Sequence, residues 1–527
     1  MTSIRPTEVL PPLEDTAPRD AGVGLLPTQA VPLVSSSHPA TVALPELTAP
    51  PPPSQPPYAV APVAVVAPVP TGGEEAQALA ALEPGSTFHG LKIHSRLGEG
   101  GMGAAYLASH PVLRMPLVIK TFKRSASGKI FHEAVLAGRV SSQHVVSVID
   151  AGTQDGVPFI VQRYVDGIDL EELLHKQRTI GRRLPVNAVC RVIVDAAHGL
   201  HAIHQAGVVH RDVKPANLFL SGHGVAAIGD FGIAVERSFR GVSEPIVGTP
   251  HFMAPEQWTQ AAVDRRTDLY ALGATAHFLA TNEPVFAGDS ALQLGLAHAT
   301  TRYAPPPARD PREAYLFATI ERMLRKRPED RFTSADHLAR TLAVITEPMP
   351  ALRPHATTEA TVGDVSVRLV QGNLAEQEAD VLVSAANSIL VMDAGVARAL
   401  VRAGGPAIED EAVSQGPAAM GDVVWTAAGT LKARWVAHAV AALEGAICIQ
   451  RCALRVLLGA ESRRCHTVAF SAIGTGVGEV PMALGAKLVL EAVRTFASFE
   501  PEHVRNVRVV LYDQGAVDTW ADVLASM

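Results

Sequence analysis

Two short polar segments constrain this chain more than anything else in it. His210-Arg-Asp-Val-Lys-Pro-Ala-Asn217 brings an acid, a base and an amide into eight residues, and Asp230-Phe-Gly232 follows after a stretch with hairpin character. Upstream, Leu97-Gly-Glu-Gly-Gly-Met-Gly103 lies between two strand-like runs, 91–97 and 104–107, which predicts a glycine-rich hairpin. Glycines there let backbone N–H groups approach phosphate oxygens without side-chain obstruction. Alone, the pattern is equally an ordinary turn, and a helix directly after it would point to a dinucleotide site; here a strand follows. Leu117-Val-Ile-Lys120 then sets a lysine at the end of an apolar run, where its ammonium needs a carboxylate or a phosphate. Glu133, thirteen residues later in a helical stretch spanning 130–140, is a candidate partner. Gly248-Thr249 and Ala254-Pro-Glu256 complete a series of five motifs in one order.

Composition bounds what surrounds these motifs. A length of 527 residues suggests about three units at roughly 150 residues each. A net charge of −7 argues against a protein that coats nucleic acid, and four cysteines exclude a disulfide scaffold. Residues 1–86 hold 18 of the 39 prolines and a single aromatic, Tyr58, so this segment is expected to be disordered, with polyproline II character in 49–57. That run reads as a spacer or, less simply, as a PxxP-type ligand. The first residues do not form a signal peptide, and the apolar stretch 58–70 is too short and too proline-broken to span a membrane. A cytoplasmic location is the expectation.

The five motifs make residues 87–345 resemble a eukaryotic-type (Hanks-type) bacterial Ser/Thr protein kinase, over about half of the chain. The resemblance implies a bilobal fold and ATP with Mg²⁺ as ligands. It implies that Asp212 orients and deprotonates the acceptor hydroxyl and that Lys214 neutralises the γ-phosphoryl group. Lys120, steadied by Glu133, would hold the α- and β-phosphates, and Asn217 and Asp230 would hold Mg²⁺. Leu97, Gly98, Gly100, Gly101, Gly103 and Ala105 would cover the nucleotide, and Asp169, just past the hinge-like 162–165, would meet the ribose. Asp268 and Arg331 match structural anchors of the family, Arg331 pairing with Glu256. Ser243 and Ser238 are the candidate autophosphorylation sites, with Thr249 in the P+1 segment. Two departures stand out: the Lys120–Glu133 gap is short, and Ala105 replaces a usual Val. A pseudokinase with the same fold is the competing reading.

After a proline-containing stretch, 346–362, read as a linker, strands and helices alternate from 363 to 527. Strands are expected at 364–370, 381–384, 436–440, 468–472 and 507–512, and helices at 395–403, 446–459 and 481–497. This indicates an α/β sheet with helices on both faces. Loops after strand ends, at 384–397 and 471–478, suit phosphate groups, though ordinary βα turns look the same. Residues 363–527 resemble a macro domain, the family that binds ADP-ribose, through QGNLAEQEADVLVSAAN, GVARALVRAGG, GDVVWTAAG and SAIGTGVGEVP. The resemblance implies a three-layer α/β/α domain in which Asn373 reads the adenine, Asn387 contacts the distal ribose, Gly395 and Val396 form a facing loop, and Gly474, Thr475, Gly476, Val477 and Gly478 wrap the diphosphate. Asn373 stands where many members have Asp, and Ala397 where one de-ADP-ribosylating branch has a catalytic Asp. This favours a binding module over a hydrolase.

Smaller features have plain readings. His198, His201 and His204 could line one helix face as metal ligands, but helix surface is the simpler reading. Cys448 and Cys452 read as buried small hydrophobes rather than a redox pair. The basic run 322–331 reads as the end of the first domain. The expectation is thus a multidomain α+β and α/β chain: a Ser/Thr kinase acting on protein hydroxyls, coupled to an ADP-ribose-binding module that either brings it to ADP-ribosylated proteins or senses a free NAD-derived metabolite, with neither nucleic acid nor membrane as partner. An adaptor without catalysis, or an ADP-ribosyl hydrolase carried on a kinase, are the alternatives.

Overall fold

Residues 82–100, 103–123, 134–135, 137–230, 250–259, 261–441, 448–476 and 480–527 are described by the computed structural model. The proline-rich segment expected to be disordered therefore lies outside the described residues, apart from its last few positions.

The chain first forms an antiparallel sheet: β1 (Thr87–Phe88), β2 (Leu91–Gly100), β3 (Gly103–Ser109), β4 (Pro116–Phe122), β5 (Val148–Gln154) and β6 (Val157–Arg163), in the order β1-β2-β3-β4-β6-β5. The side-chain period of two sorts each strand. Leu117 and Ile119 of β4 join Ile93, Tyr106, Phe159 and Val161 in an apolar cluster, and Lys120 therefore falls on the opposite face. Gly103 is required by packing: a Cβ there would lie 1.8 Å from the Thr121 carbonyl oxygen.

A mainly helical lobe follows. A small sheet of β7 (Gly167–Asp169), β8 (Leu218–Ser221) and β9 (Ala226–Ile228) carries the polar loop 210–217 at its edge. Around it stand α1 (Leu170–Thr179), α2 (Val186–Gln205), α3 (Pro255–Trp258), α4 (Arg265–Thr281), α5 (Ala291–Thr300), α6 (Pro311–Met323) and α7 (Ala335–Ala343). Helix starts follow local chemistry: the side chains of Asp169, Asp264, Ser290, Asp310 and Ser334 each accept a backbone N–H of the first turn. Along α2, Val189, Ile193, Ala196, Leu200 and Ile203 recur at helical spacing and are all buried.

The second domain has an eight-stranded sheet. Its strands are β10 (Arg353–Ala356), β11 (Glu359–Val362), β12 (Val365–Gln371), β13 (Val381–Ala386), β14 (Val423–Ala427), β15 (Trp435–Val440), β16 (Thr467–Ser471) and β17 (Asn506–Leu511), ordered β10-β11-β12-β17-β16-β13-β15-β14. The central pairings are parallel and the outer ones antiparallel. Alternate residues serve opposite faces. Leu382, Val436, Ala469 and Val510 pack with α8 (Gly395–Gly404) and α9 (Ala407–Ser414). Val381, Val383, Val468, Phe470 and Val509 pack toward α10 (Ile449–Ser462), α11 (Met482–Ala497) and α12 (Gln514–Ser526). Burial on both faces gives the near-continuous apolar runs of a parallel sheet.

One part of the chain differs from expectation. The stretch 346–362, read as a linker, holds β10 and β11, which extend the sheet beyond β12. Pro354 is tolerated because β10 is the exposed edge strand, where a missing N–H disrupts no ladder. Ala360 and Val362 are nonetheless buried in the domain's core.

The two domains share one continuous apolar cluster, running from Leu173 and Leu200 of the first to Leu457 and Phe496 of the second. No helix among the described residues is long and apolar enough to cross a membrane.

Candidate active site

Lys120 comes from β4 and Asp230 follows β9; the two side chains form an ion pair across the cleft between the lobes. Asp230 has φ +60° and Arg211 φ +67°. Non-glycine residues in this region are strained and cluster where surrounding structure holds them for function. Here the supports are visible. The Asp268 carboxylate accepts the backbone N–H of His210 at 2.8 Å and of Arg211 at 2.7 Å, and bonds His204 Nε2 at 2.7 Å. The His210 ring bonds the Gly229 carbonyl at 2.9 Å, and its Nδ1 accepts the Asp212 N–H at 3.2 Å. Asp268, anchored on α4, thus fixes the loop that presents Asp212. His204 is engaged there, and no group of three or more metal-ligating side chains occurs among the described residues.

Asp212 lies between two donors. Lys214 Nζ is 2.8 Å from its Oδ2, and Asn217 Nδ2 donates to its backbone carbonyl at 2.7 Å and to Oδ2 at 3.1 Å. Using its amide nitrogen in this way turns the Asn217 carbonyl oxygen away from Asp212. That oxygen and the Asp230 carboxylate are both donors of the kind a hard divalent cation such as Mg²⁺ takes. The glycine hairpin pairs Gly98 with Ala105 and Gly100 with Gly103, and a Cβ at Gly98 would meet nothing within 4 Å. Leu97 is partly exposed at its edge. Asp169 accepts the Glu172 N–H at 2.8 Å and starts α1.

Deeper in the helical lobe, buried Arg331 makes a two-pronged bond to Glu256, at 2.7 and 2.9 Å, and lies over the Tyr270 ring. Burial alone would raise the Glu256 carboxyl, but the hydrogen bonds and charge of Arg331 outweigh it and hold the group below its ordinary value. Glu133, Gly101, Ser238, Ser243 and Thr249 lie outside the described residues.

In the second domain, Asn373 and Gly395 meet in the wall of a cavity of about 550 Å³, with Ala375, Glu376, Arg398, Ala399, Arg402 and Ala403. Gly395 has φ +54° and opens α8, whose start has no side-chain cap. Its N–H groups and the two arginines make this mouth electropositive. Asn373 itself caps a helical turn, accepting the Ala375 N–H at 3.0 Å. Asn387 is turned onto its own loop, exchanging hydrogen bonds of 3.2 Å with both backbone groups of Val391. Gly474 has φ +81°, and a Cβ there would come within 2.7 Å of Ile449 Cδ1, whereas Gly476 is open. Asn387 and the 474–476 loop are not in the walls of the cavity that holds Asn373 and Gly395. Val477 and Gly478 lie outside the described residues.

Three residues with evident binding chemistry were not singled out from sequence. Arg398 and Arg402 share one helix face at i, i+4 next to the cavity. Tyr512, 88% exposed, follows β17 where Leu511 bonds Gly372, the neighbour of Asn373. An arginine pair one turn after a glycine-initiated helix, and an aromatic directly after an apolar strand, were the available signals.

Parts of the chain are similar to known families and proteins. Residues 91–342 match the protein kinase domain family and residues 383–489 the macro domain family. The serine/threonine-protein kinase PknB of Mycobacterium tuberculosis is 33% identical over 279 residues, covering 50% of this chain and 44% of PknB. PknH of Mycobacterium bovis is 36% identical over 264 residues, covering 48% of this chain and 44% of PknH. The chain thus spans less than half the length of these curated relatives. A crystal structure of the M. tuberculosis PknI kinase domain is 30% identical, with 50% of this chain and 99% of that one covered and a TM-score of 0.40. The chain therefore carries a protein kinase domain of the bacterial serine/threonine type, followed by a macro domain.

Proposed function

We propose that the chain transfers the γ-phosphoryl group of ATP to Ser or Thr hydroxyls of proteins, and that its second domain binds ADP-ribose or a closely related nucleotide. The observation that carries the first part is the joint placement of Asp212, Lys214 and Asn217 in one hydrogen-bonded group, with Lys120 and Asp230 paired across the same cleft. Asp212 orients the acceptor hydroxyl and takes its proton as the new O–P bond forms and the bond to the β-phosphate oxygen breaks, releasing ADP. Lys214 neutralises charge on the moving phosphoryl group. Lys120 turns to the α- and β-phosphates, and Asn217 and Asp230 would hold Mg²⁺, which when bound would supply charge neutralisation at the phosphates. The glycine hairpin covers the triphosphate, and Asp169 faces the ribose side.

The ligand of the second domain is supported by the cavity at Asn373 and Gly395, by Arg398 and Arg402 beside it, and by the exposed ring of Tyr512, which suits stacking on a base. ADP-ribosylated proteins are the corresponding partners.

Self-phosphorylation with labelled ATP and Mg²⁺ tests the first part. Asp212→Asn is expected to lower it by about 10²-fold or more, and equal incorporation by both proteins would refute the assignment. Calorimetry with ADP-ribose tests the second. Binding by the parent chain, weakened in Arg402→Ala and Tyr512→Ala, is expected; no heat at millimolar ligand would refute it.

A further inference from the structure

The interface between the domains falls on the segment joining the two kinase lobes. Tyr164 and Asp166 lie between β6 and β7. The Tyr164 hydroxyl is 3.3 Å from Cys448 Sγ. Asp166 accepts the backbone N–H of Gln450 at 3.1 Å and of Arg451 at 3.0 Å. Helix α10 has no side-chain cap of its own, since Cys448 precedes it in a left-handed conformation. A carboxylate from the kinase therefore caps a helix of the macro domain. Arg451 Nη1 returns a bond of 3.1 Å to the Gly167 carbonyl. One turn along, Arg455 grips Glu172 with bonds of 2.8 and 2.7 Å, and also bonds Asp422 at 2.7 Å. Glu172 is the residue whose N–H bonds Asp169, the candidate ribose contact. At Gly222 a Cβ would come within 2.3 Å of the Gln450 Cβ, so the backbones meet closely.

The same first turn of α10 has a second neighbour. Ile449, fully buried, presses its Cδ1 onto Gly474, in the loop that the macro-domain resemblance gives to the diphosphate. One helical turn thus touches the ATP hinge on one side and the nucleotide loop of the macro domain on the other.

We propose that the first turn of α10 couples the two sites, so that a diphosphate held by the 474–476 loop tightens ATP binding at the kinase hinge. The inference rests on the reading of the second domain as a nucleotide binder. The two states differ in whether α10 is seated on Asp166 and Glu172 or displaced from them. A filled loop holds Ile449 against Gly474 and so favours the seated state, which fixes Tyr164, Asp166 and the start of α1. Linkage requires ATP to tighten ADP-ribose binding by the same factor.

The test uses the full chain. ATP affinity is measured by calorimetry with Mg²⁺, and KM and kcat by self-phosphorylation, each with and without saturating ADP-ribose. The expected result is a fall in the ATP dissociation constant and KM of about fivefold or more, with kcat nearly unchanged. Ile449→Ala should abolish the effect and Ile449→Val restore most of it, with thermal unfolding recorded for each. If ADP-ribose does not bind the parent chain, the ligand reading fails and overturns the coupling with it, whereas binding without a change in ATP affinity overturns the coupling alone. Should Ile449→Ala not fold, Arg455→Met, which releases α10 from Glu172, takes its place: loss of the ADP-ribose effect on ATP affinity is expected, and an unchanged effect overturns the proposal.

Discussion

Arg331 and Glu256 show how much a single buried pair fixes. The guanidinium is enclosed, bonded to Glu256 twice and to the carbonyls of Arg325, Arg266 and Lys326. Removing one partner leaves an uncompensated buried charge, so Glu256→Gln is expected to destabilise the kinase domain by about 3–5 kcal/mol, measured by urea unfolding. A change below ~1 kcal/mol would mean that the pair behaves as a surface ion pair. Three histidines add a pH dependence. Burial lowers His277, His298 and His438 to about 4, each beside a hydroxyl of Tyr303, Tyr270 or Thr426. Their folded values lie below the unfolded value, so the neutral rings contribute stability that is full above pH ~6.5 and is lost as pH falls toward about 4. Near pH ~5.5 the loss is about 1 kcal/mol for each ring. Melting temperature should fall between pH ~7.5 and ~5.5, and His438→Phe should flatten that slope. At this scale the kinase cluster was legible in sequence because Asp212, Lys214 and Asn217 lie within one loop, where spacing alone brings them together. Arg398, Arg402 and Tyr512 were not, because what marks them is their surroundings, a cavity wall for the two arginines and 88% exposure for the tyrosine, and these exist only in the folded domain.

At the scale of elements, strands and helices of the second domain follow their apolar periods, and the parallel core was readable from runs such as Val381-Leu-Val-Ser384. The hairpin β10–β11 was hidden because its prolines, threonines and alanines carry the composition of a connector. Only its pairing to β12 gives Ala360 and Val362 a reason to be apolar. Val362→Asp tests this difference. A buried carboxylate at that position should lower the melting temperature by several degrees, on the order of 2 kcal/mol or more, whereas a true linker would tolerate it without change. The cap on α10 escapes sequence reading for a related reason. Its carboxylate, Asp166, lies 285 residues before Arg451, in the other domain, so no local motif announces it.

For the whole molecule, the shared apolar cluster and the polar seam decide how it unfolds. Arg455 and Glu172 hold each other in their charged forms. Burial opposes this on both sides, yet the pair's mutual hydrogen bonds and charge depress the Glu172 carboxyl and raise the Arg455 guanidinium. Asp166 is different. Enclosure pushes its carboxyl up to about 6, and the amides of Arg451 and Gln450 offset this only in part. With a common core and a bonded seam, the two domains should melt together. One calorimetric transition is expected for the parent chain, and Arg455→Met with Gly222→Val should split it into two. Two transitions in the parent would mean that the domains are energetically independent.

The borrowed cap on α10 also bears on exchange of parts. A macro domain moved onto another kinase would arrive with the first N–H groups of α10 unanswered, unless the new host offered an acid at the place of Asp166. The seam therefore acts as a lock between these two modules. It favours inheritance of kinase and macro domain as one unit over free reshuffling of either half.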